Sequence, residues 1–297
     1  MTLRQRPYSG EHDWPAIADL IAADPAFQHR VDFPWRLCST SLENHQNAAV
    51  WESEEGQMQI IAALQFPWLT LDYAIAPDIR TWEIEALVIG WAEARLSQIA
   101  AETDSHFPFN VSAFAHERAR ISFLEGLGYT RWNNHVVVLS RSLATLAEPH
   151  LPQGFAIRPL AGEGEIEGYA DLHRTAFDSM VMTADWRRRT LRAPLYNPTI
   201  DLVAVSPYGQ LAGFCVWWYD PRSKTAQIEP LGVHPDFQRL GLGQALMAEG
   251  LRRLAALGTE MALVETYSFS QTALLSYAAA GFQEKTQEFK FYKNYHR

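Results

Sequence analysis

Residues 225–257 read TAQIEPLGVHPDFQRLGLGQALMAEGLRRLAAL, and the rest of the chain is organised around this stretch. A strand-like run ends at Val233, a turn follows at Pro235, and apolar residues recur at helical spacing after Gly241 and Gly243. A helix that begins at two glycines leaves its first N–H groups unpaired and accessible. Such an end carries about half a positive charge and binds phosphate groups. The stretch therefore predicts a strand, a turn and a helix whose first turn is an anion site built from backbone.

The predicted helix covers residues 240–257, and the predicted strand covers residues 225–233. One stripe of the helix is apolar and comprises Leu242, Leu246, Gly250, Leu254 and Leu257. Alternation along the strand places on one face Gln227, Glu229, Leu231 and Val233. Pro230 lies inside this strand and removes a ladder hydrogen bond, which favours a bulge or a splayed strand; a simple edge strand is the alternative.

The composition indicates a folded chain with a substantial core. Of the 297 residues, 47% are hydrophobic and 12% are aromatic, which argues against disorder and suffices for one large or two ordinary domains. The formal net charge of −9 argues against a nucleic-acid partner, because phosphate backbones require basic surfaces. An acidic surface is compatible with a cationic, amine-bearing substrate.

Cysteine and histidine usage gives no sign of a disulfide or a metal site. Neither Cys38 nor Cys215 belongs to a CxxC motif, so both are interpreted as free core thiols in a reducing compartment. The ten histidines show no HExxH or paired spacing. The N-terminus has no apolar signal core, and no segment is apolar enough to span a membrane. The chain is predicted to be cytoplasmic, without a membrane partner.

Three echoes at offsets of about 155 residues indicate a duplicated chain. The pairs of similar segments are 3–4 with 157–158, 75–78 with 233–236, and 121–129 with 274–282. The remaining predicted elements repeat in the same order: helices at 13–23, 82–100 and 163–176, and strands at 48–52, 58–71, 202–205 and 211–219. The predicted fold class is α/β with a mixed sheet, in two tandem domains at residues 1–146 and 155–297, joined by a linker within 144–154.

The two halves differ at the residues that carry chemistry. The aligned pairs are Gly241 with Glu83, Gly243 with Glu85, Glu229 with Leu71, and Tyr277 with Leu124. Two carboxylates at a helix start suit the helix dipole but repel a pyrophosphate. The first half is therefore interpreted as a degenerate copy with a structural or substrate-shaping role.

Three motifs stand in order within residues 155–295. They are Gln238-Arg239-Leu240-Gly241-Leu242-Gly243, the upstream Val233-His234-Pro235, and Tyr277 followed by Gly281-Phe282. Together they resemble the acyl-CoA signature, the Val-x-Pro and the late Tyr-x-x-x-Gly-Phe helix of GNAT-type N-acetyltransferases. The first half resembles this family only in outline. A tandem arrangement with a degenerate N-terminal copy is similar to that of mycothiol synthases.

The resemblance implies acetyl-CoA as cofactor and a splayed mixed sheet flanked by helices in each domain. It implies that the cofactor contacts the bulged strand, the glycine loop and the start of the late helix. The implied cofactor-binding residues are Leu231, Gly232, Val233, Gln238, Arg239, Leu240, Gly241, Leu242, Gly243, Gln244 and Ser270. Ser270 stands where the family often carries asparagine.

Two residues are the candidate catalytic groups. Amine acetylation needs a neutral amine, and an amine of pKa about 10 requires a base at neutral pH. Glu229 stands where many family members carry the base; the alternative is a structural ion pair with Arg222 or Lys224. Tyr277 is the candidate general acid for the departing thiolate, and its alternative is a half-buried aromatic residue on an amphipathic helix.

Residues near the strand ends are the candidate acceptor contacts. Trp218, Glu265 and Tyr267 are predicted to bind the substrate, although core packing is the alternative for Trp218, which alternation turns to the opposite face from Trp217. Residues 187–189, three arginines, are interpreted as a solvated face, with contact to the cofactor's ribose phosphate as the alternative.

These observations predict an acetyl-CoA-dependent N-acetyltransferase that acts by direct attack of a primary amine of a small molecule. The alternatives are a catalytically silent acyl-CoA-binding or sensing module, an acyltransferase that uses a longer acyl donor, and a purely structural protein. The oligomeric state is predicted to be monomer or homodimer.

Overall fold

The computed structural model describes residues 2–24, 29 and 31–296. It divides into two compact units. The first unit contains Ser39–Val136, the residues before position 31 and the C-terminal segment from Thr286. The second contains Val31–Cys38 and Val137–Lys285. Each unit thus draws on separate parts of the chain, and the domain boundaries at 1–146 and 155–297 stay a prediction.

The described residues contain eight helices and twelve strands. The helices are α1 (Trp14–Ala23), α2 (Phe33–Arg36), α3 (Trp82–Thr103), α4 (Arg118–Gly126), α5 (Ile166–Phe177), α6 (Ala184–Thr190), α7 (Leu242–Ala256) and α8 (Gln271–Ala279). The strands are β1 (Arg4–Pro7), β2 (Ala48–Glu52), β3 (Met58–Gln65), β4 (Thr70–Ile75), β5 (Phe107–Phe114), β6 (Thr130–Ser142), β7 (Ala156–Pro159), β8 (Asp201–Val205), β9 (Leu211–Asp220), β10 (Thr225–Val233), β11 (Met261–Tyr267) and β12 (Gln283–Tyr295).

The first unit is built on strands in the order β1-β2-β3-β4-β5-β12. β1 to β4 are antiparallel neighbours, β4 runs parallel to β5, and β5 pairs antiparallel with β12. Every residue of β3 and β4 is buried. The core joins these strands to α3 through Val88, Ala92 and Leu96, which are spaced to lie on one helix face.

The second unit has strands in the order β11-β10-β9-β8-β7, with β10 parallel to β11 and the other pairs antiparallel. α7 contributes Leu242, Leu246 and Leu254 to its core. Gly250 allows α7 to approach β9 closely, because a Cβ there would lie 2.0 Å from Nε1 of Trp217. The predicted mixed α/β fold with flanking helices is confirmed.

Two predicted elements differ from the structure. The run predicted as one strand over residues 58–71 is two strands, because residues 66–69 turn the chain and Leu69 adopts a left-handed φ of 50°. The apolar stripe of α7 ends one turn early. Leu257 is 40% exposed because it caps the helix just before Gly258, whose φ is 84°.

Arg187 contradicts the prediction that residues 187–189 form a solvated face. It is 1% exposed and forms an ion pair with Asp201 on β8. Tyr196 also donates to Asp201, at 2.6 Å, and the Arg187 guanidinium lies 3.8 Å from the centroid of the Tyr169 ring. A buried charge requires such partners. The sequence around Arg187 does not indicate its burial, because its partner Asp201 lies on another element, β8.

His173 on α5 is neutral and buried in an aromatic cluster. Its ring stacks on Phe214, with centroids 5.5 Å apart, and its Nδ1 has no hydrogen-bond partner among the described residues. Burial lowers the pKa of His173 to about 4, and the positive charges of Arg187 and Arg174 act in the same direction. The unfolded chain, with a histidine pKa of about 6.5, binds this proton more readily than the folded chain does.

The His173→Phe variant is therefore expected to lose less stability in mild acid than the parent protein. As pH falls from about 6.5 to about 4, the unfolded parent takes up a proton at His173 and the folded parent does not, so its unfolding free energy decreases. The difference between the two pKa values corresponds to about 2–3 kcal/mol. Urea unfolding at pH 7 and pH 4.5 measures this difference. An equal acid-induced loss in both proteins would contradict the assignment.

Candidate active site

β10 carries a bulge at Glu229 and Pro230. Its register with β9 shifts between Ile228 and Leu231. Over this step β10 advances by one residue more than β9, which defines a β-bulge. The prediction that Pro230 marks a bulge, and not a simple edge strand, is confirmed.

The bulge changes which side chains of β10 share a face. Ile228 before it and Leu231 and Val233 after it all pack into the core that contains α7. Gln227, next to Ile228, is 2% exposed and therefore points to the opposite face. The prediction that Gln227, Glu229, Leu231 and Val233 share one face is wrong, because the extra residue shifts the alternation by one position.

β10 and β11 separate beyond the bulge. Their described parallel pairing ends at Gln227↔Leu263, although β10 continues to Val233 and β11 to Tyr267. A bulge bends the strand that carries it, which accounts for the loss of pairing on this side. The predicted gap between parting strands is confirmed within the second unit.

The main chain of β10 presents groups to this gap. The N–H of His234 donates to a carbonyl of β9 at 2.9 Å. Hydrogen-bonded pairs alternate along an antiparallel ladder, so Gly232 also uses its main-chain groups on β9, whereas Leu231 and Val233 point theirs to the other edge. In agreement, the Gln238 side chain donates to the Val233 carbonyl at 3.3 Å. Of the three strand residues predicted to bind the cofactor, Leu231 and Val233 thus have main-chain groups directed at the gap.

The loop before α7 forms an open backbone concavity. Arg239 and Gly241 adopt φ values of 61° and 85°, and Gly241 caps α7 without a side-chain hydrogen bond. A Cβ built on Gly241 would meet no atom within 4 Å, and one on Gly243 would meet only Val233, at 3.8 Å. Gln238, Arg239 and Leu240 are exposed. The first N–H groups of α7 are therefore uncovered, and this geometry fits a pyrophosphate.

The equivalent helix start in the first unit is different. Thr81 caps α3 by accepting from the N–H of Ile84 at 3.3 Å, and Glu83 and Glu85 occupy the first turn. The described register of β3 with β4 is continuous, without a bulge. The first unit therefore has the same type of strand and helix but lacks the glycine cradle.

Glu229 and Tyr277 lie in one electrostatic neighbourhood. Tyr277, on α8, is 9% exposed and belongs to the same core as Cys215. Burial raises the pKa of Tyr277 above its ordinary value, and the negative charge of Glu229 raises it further. The phenol therefore keeps its proton at neutral pH. Glu229 is half-buried at the bulge, and the catalytic roles of the two residues stay predictions.

Trp218 is inaccessible to solvent and forms a hydrogen bond with the bulge in β10. It is 0% exposed, and its Nε1–H donates to the carbonyl oxygen of Glu229 at 2.9 Å. The ring also contacts Tyr196 edge-on, with centroids 6.4 Å apart. The predicted contact of Trp218 with a substrate stays a prediction. The observed contact is with the strand that carries the candidate base, a role that sequence alternation could not reveal.

We expect Trp218→Phe to lower kcat about tenfold while changing acetyl-CoA affinity little. The change leaves the partly buried Glu229 carbonyl without its donor, which costs about 1–3 kcal/mol and loosens the bulge. Trp217→Phe is the matched control, because Trp217 faces Gly250 of α7 and not the bulge. Steady-state kinetics measures kcat, and calorimetry measures the affinity for acetyl-CoA. Equal effects of the two variants on kcat would contradict the positioning role.

The other two predicted substrate contacts lie within β11. Glu265 and Tyr267 are half-buried in the part of the strand that no longer pairs with β10, and not in a loop after it as predicted. Tyr267 stacks on Phe269, with centroids 5.1 Å apart, and Phe269 is 57% exposed. Their contact with an acceptor stays a prediction.

Gln244 and Ser270 connect α7 and α8 to their surroundings. The Gln244 side chain donates to the carbonyl oxygen of Ser276 at 2.6 Å, so it ties α7 to α8. Ser270 occupies the position before α8 without a side-chain cap bond, and its N–H donates to the Tyr267 carbonyl at 2.9 Å. Their roles in cofactor binding stay predictions.

Both cysteines are buried and free, as predicted. Across residues 2–24, 29 and 31–296, no group of three or more His, Cys, Asp or Glu side chains is arranged to hold a metal ion. In the same residues, no helix combines the length and apolarity needed to cross a bilayer.

Comparison with known proteins agrees with this geometry. The model of the acetyltransferase (GNAT) family matches residues 165–282. The mycothiol acetyltransferase of Kineococcus radiotolerans is 34% identical over 120 residues, which cover 39% of this chain and 39% of the relative. That of Clavibacter michiganensis subsp. michiganensis is 29% identical over 150 residues, which cover 49% of this chain and 48% of the relative. The matches thus span about half or less of the relatives' own length.

Solved structures with the same fold cover nearly the whole chain. A GCN5-related N-acetyltransferase from Sphaerobacter thermophilus aligns with a TM-score of 0.68 at 20% identity, covering 98% of this chain and 95% of its own. A tandem GNAT protein from the clavulanic acid biosynthesis pathway aligns with a TM-score of 0.66 at 16% identity, covering 99% and 98%. Residues 165–282, which contain the bulge, the glycine loop and Tyr277, therefore form a domain of the GNAT acetyltransferase family, in a chain with the fold of tandem GNAT proteins.

Proposed function

We propose that the second unit transfers the acetyl group of acetyl-CoA to a primary amine of a small molecule by direct attack. The observation that carries this proposal is the bulge at Glu229 and Pro230, which opens a gap beside the uncovered start of α7. The gap and the helix start together supply a place for an acyl group and a place for a pyrophosphate. The mycothiol acetyltransferases among the relatives support the same reaction class.

The backbone of the second unit holds the donor. The N–H groups at the start of α7, from Gly241 onward, bind the pyrophosphate. Leu231 and Val233 offer main-chain groups at the gap for the amides of the pantetheine arm and for polarising the thioester carbonyl. When bound, acetyl-CoA supplies an activated carbonyl carbon and a thiolate leaving group. Much of the rate enhancement arises from this positioning.

Glu229 acts as the general base. It removes a proton from the incoming ammonium group, directly or through a water molecule, so that a neutral amine attacks. The carboxylate lies at the bulge, where its main chain is fixed by the indole of Trp218. The position of Glu229 beside the gap is therefore fixed by β10 and does not depend on a mobile loop.

Tyr277 acts as the general acid. Its phenol is buried on α8 and keeps its proton at neutral pH, since burial and nearby negative charge raise its pKa. It donates this proton to the departing thiolate sulfur, the attacking nitrogen releases its remaining extra proton to solvent as the amide forms, and the phenol regains a proton from solvent. Cys215 is not a nucleophile in this scheme: it is fully buried, and burial raises the pKa of its thiol.

A screen of amines with the full chain and acetyl-CoA tests this function. Release of free thiol that depends on both acetyl-CoA and one amine class supports the proposal. Micromolar acetyl-CoA binding in calorimetry, without turnover on any amine, would favour the silent binding module. Faster turnover with longer acyl-CoA thioesters would reassign the donor, and absence of any acyl-CoA binding would overturn the cofactor assignment.

A further inference from the structure

Three large apolar side chains are exposed at the end of α5 and in the segment that follows it. They belong to Phe177, Met180 and Val181, and Met180 is 82% exposed. Single exposed apolar residues are ordinary on a protein surface, whereas several together mark a contact site. These three residues form the 177–181 patch, to which the proposed acetyl transfer gives no role.

The segment that carries the 177–181 patch is anchored at both ends. Met182 is fully buried, and its carbonyl accepts from Nη1 of Arg174 at 2.9 Å. The N–H of Ser179 donates to the Arg174 carbonyl at 3.0 Å. The side chain of Thr183 caps α6. Because the backbone of the patch is already held in place, a ligand that contacts it loses little free energy in ordering the segment.

The end of α5 contacts β10 just beyond the bulge. A Cβ built on Gly232 would lie 3.1 Å from the Cβ of Ala176, the residue before Phe177. The Phe177 ring packs on Phe214 of β9, with centroids 6.0 Å apart. Phe214 alternates along β9 with Cys215, which belongs to the core around α7. The 177–181 patch therefore starts beside the gap between β10 and β11, on the sheet face opposite α7.

An aromatic pair lies on the same sheet face, on the other strand of the gap. Ala262 and Val264 of β11 pack into the core with α7, so alternation directs Tyr267 to the opposite face. Tyr267 lies in the part of β11 beyond its pairing with β10 and stacks on the exposed Phe269. On this face, apolar or aromatic side chains therefore border the gap next to both strands.

The charged groups around the 177–181 patch are paired or acidic. His173 packs behind the patch and is neutral at pH 7, because burial lowers its pKa. Arg174 forms an ion pair with Asp171. Asp178 is the only charged residue of segment 177–183, and alternation places the half-buried Glu265 on the same face of β11 as the aromatic pair. These carboxylates suit a cationic amine and repel an anionic acceptor.

We propose that the acceptor is a primary amine with an apolar carbon skeleton, an arylalkylamine or a branched alkylamine, and that the 177–181 patch binds this skeleton. The proposed function, on which this assignment rests, places the amino group at Glu229, so the skeleton lies on the neighbouring patch. Removal of apolar surface from water drives this contact. The reaction stays the same: the N–C bond forms, the C–S bond breaks, and the ammonium loses two protons, of which one is balanced by the new thiol and one goes to solvent.

A comparison of amines with the full chain and acetyl-CoA tests the substrate class. The probes are 2-phenylethylamine, glucosamine and 1,4-diaminobutane. We expect kcat/KM for 2-phenylethylamine to exceed that for either polar amine at least tenfold. If glucosamine or 1,4-diaminobutane is acetylated as efficiently as 2-phenylethylamine, the proposal is overturned.

Calorimetry with 2-phenylethylamine, in the presence of coenzyme A, separates this proposal from the proposed function. We expect binding with a negative heat-capacity change, the mark of apolar burial, whether or not any amine is acetylated. Binding without turnover of any amine would overturn the proposed function and support the ligand class. Turnover of glucosamine without binding of 2-phenylethylamine would overturn the ligand class and support the function.

The variant Met180→Ser/Val181→Ser locates the binding. We expect KM for 2-phenylethylamine to rise at least tenfold, while kcat, acetyl-CoA affinity and KM for methylamine, which has no skeleton to bind, stay unchanged. Met180→Leu/Val181→Ile should restore the parent KM. Leu146→Ser is the control, because Leu146 is 38% exposed outside any helix or strand and Val181 is 39% exposed. An unchanged KM for 2-phenylethylamine, or an equal rise for methylamine, would refute the role of the patch.

Discussion

Gly243→Glu is expected to weaken acetyl-CoA binding about a hundredfold or more, which corresponds to about 2.7 kcal/mol. The new carboxylate stands in the first turn of α7, where uncovered N–H groups are proposed to bind a pyrophosphate. A like charge a few ångströms from the phosphates costs several kcal/mol near a protein surface. The change also reproduces the first unit, in which Glu85 occupies the aligned position of α3.

Gly243 is a better site for this test than Gly241. At Gly241 the φ of 85° strains any side chain, so a loss of binding there could reflect backbone change. At Gly243 an added Cβ meets only Val233, at an ordinary 3.8 Å, and replacing a helical glycine favours the helix. The fold should therefore survive.

Gly243→Gln separates charge from size. It has the same shape as the glutamate variant without the charge, and we expect its affinity to lie between those of the parent and Gly243→Glu. Calorimetry gives the dissociation constants, and circular dichroism confirms that each variant is folded. Unchanged affinity in a folded Gly243→Glu protein would refute the assignment of the phosphate loop.

Tyr277→Phe should lower kcat by about a hundredfold or more, the usual scale of a general acid, and should spare acetyl-CoA binding. Burial first, and then the negative charge of Glu229, raise the pKa of Tyr277, so the phenol stays protonated across neutral pH. The loss should therefore be the same at pH 7 and at pH 9. Initial rates at a saturating amine concentration, measured at pH 7 and at pH 9, give the loss in kcat.

The control for this prediction is Tyr208→Phe. Tyr208 is 95% exposed in the turn between β8 and β9, and removal of its hydroxyl should leave kcat unchanged. If Tyr277→Phe keeps full activity with a true acceptor, another group protonates the thiolate, and Tyr277 is only a packing residue of α8.

The local elements of the site could be predicted from the sequence. Helical spacing after Gly241 and the proline within β10 indicated the helix, its uncovered start and the bulge. Which side chains of β10 share a face of the sheet could not be predicted. Simple alternation assumes that each residue faces one residue of the neighbouring strand, whereas a bulge adds one residue to β10. Trp218 was expected to contact substrate, but its hydrogen bond to Glu229 depends on which residues of two strands face each other.

Long-range pairings were also outside the reach of the sequence. Arg187 was expected to be solvated because it stands in a run of arginines, and only its contact with Asp201 explains its burial. Likewise, β12 follows the catalytic candidates in the chain, yet its residues from Glu288 onward pair with β5 of the first unit. No local propensity encodes such a register.

The bulge in β10 is a difference in chain length, and β4 has no counterpart to it. Point substitutions keep the number of residues constant, so no exchange of side chains along β4 can reproduce the shifted ladder. Insertion of one residue into β4 would supply the extra residue of a bulge, and deletion of Pro230 is the reverse step. The two strand pairs therefore differ in residue count as well as in side chains.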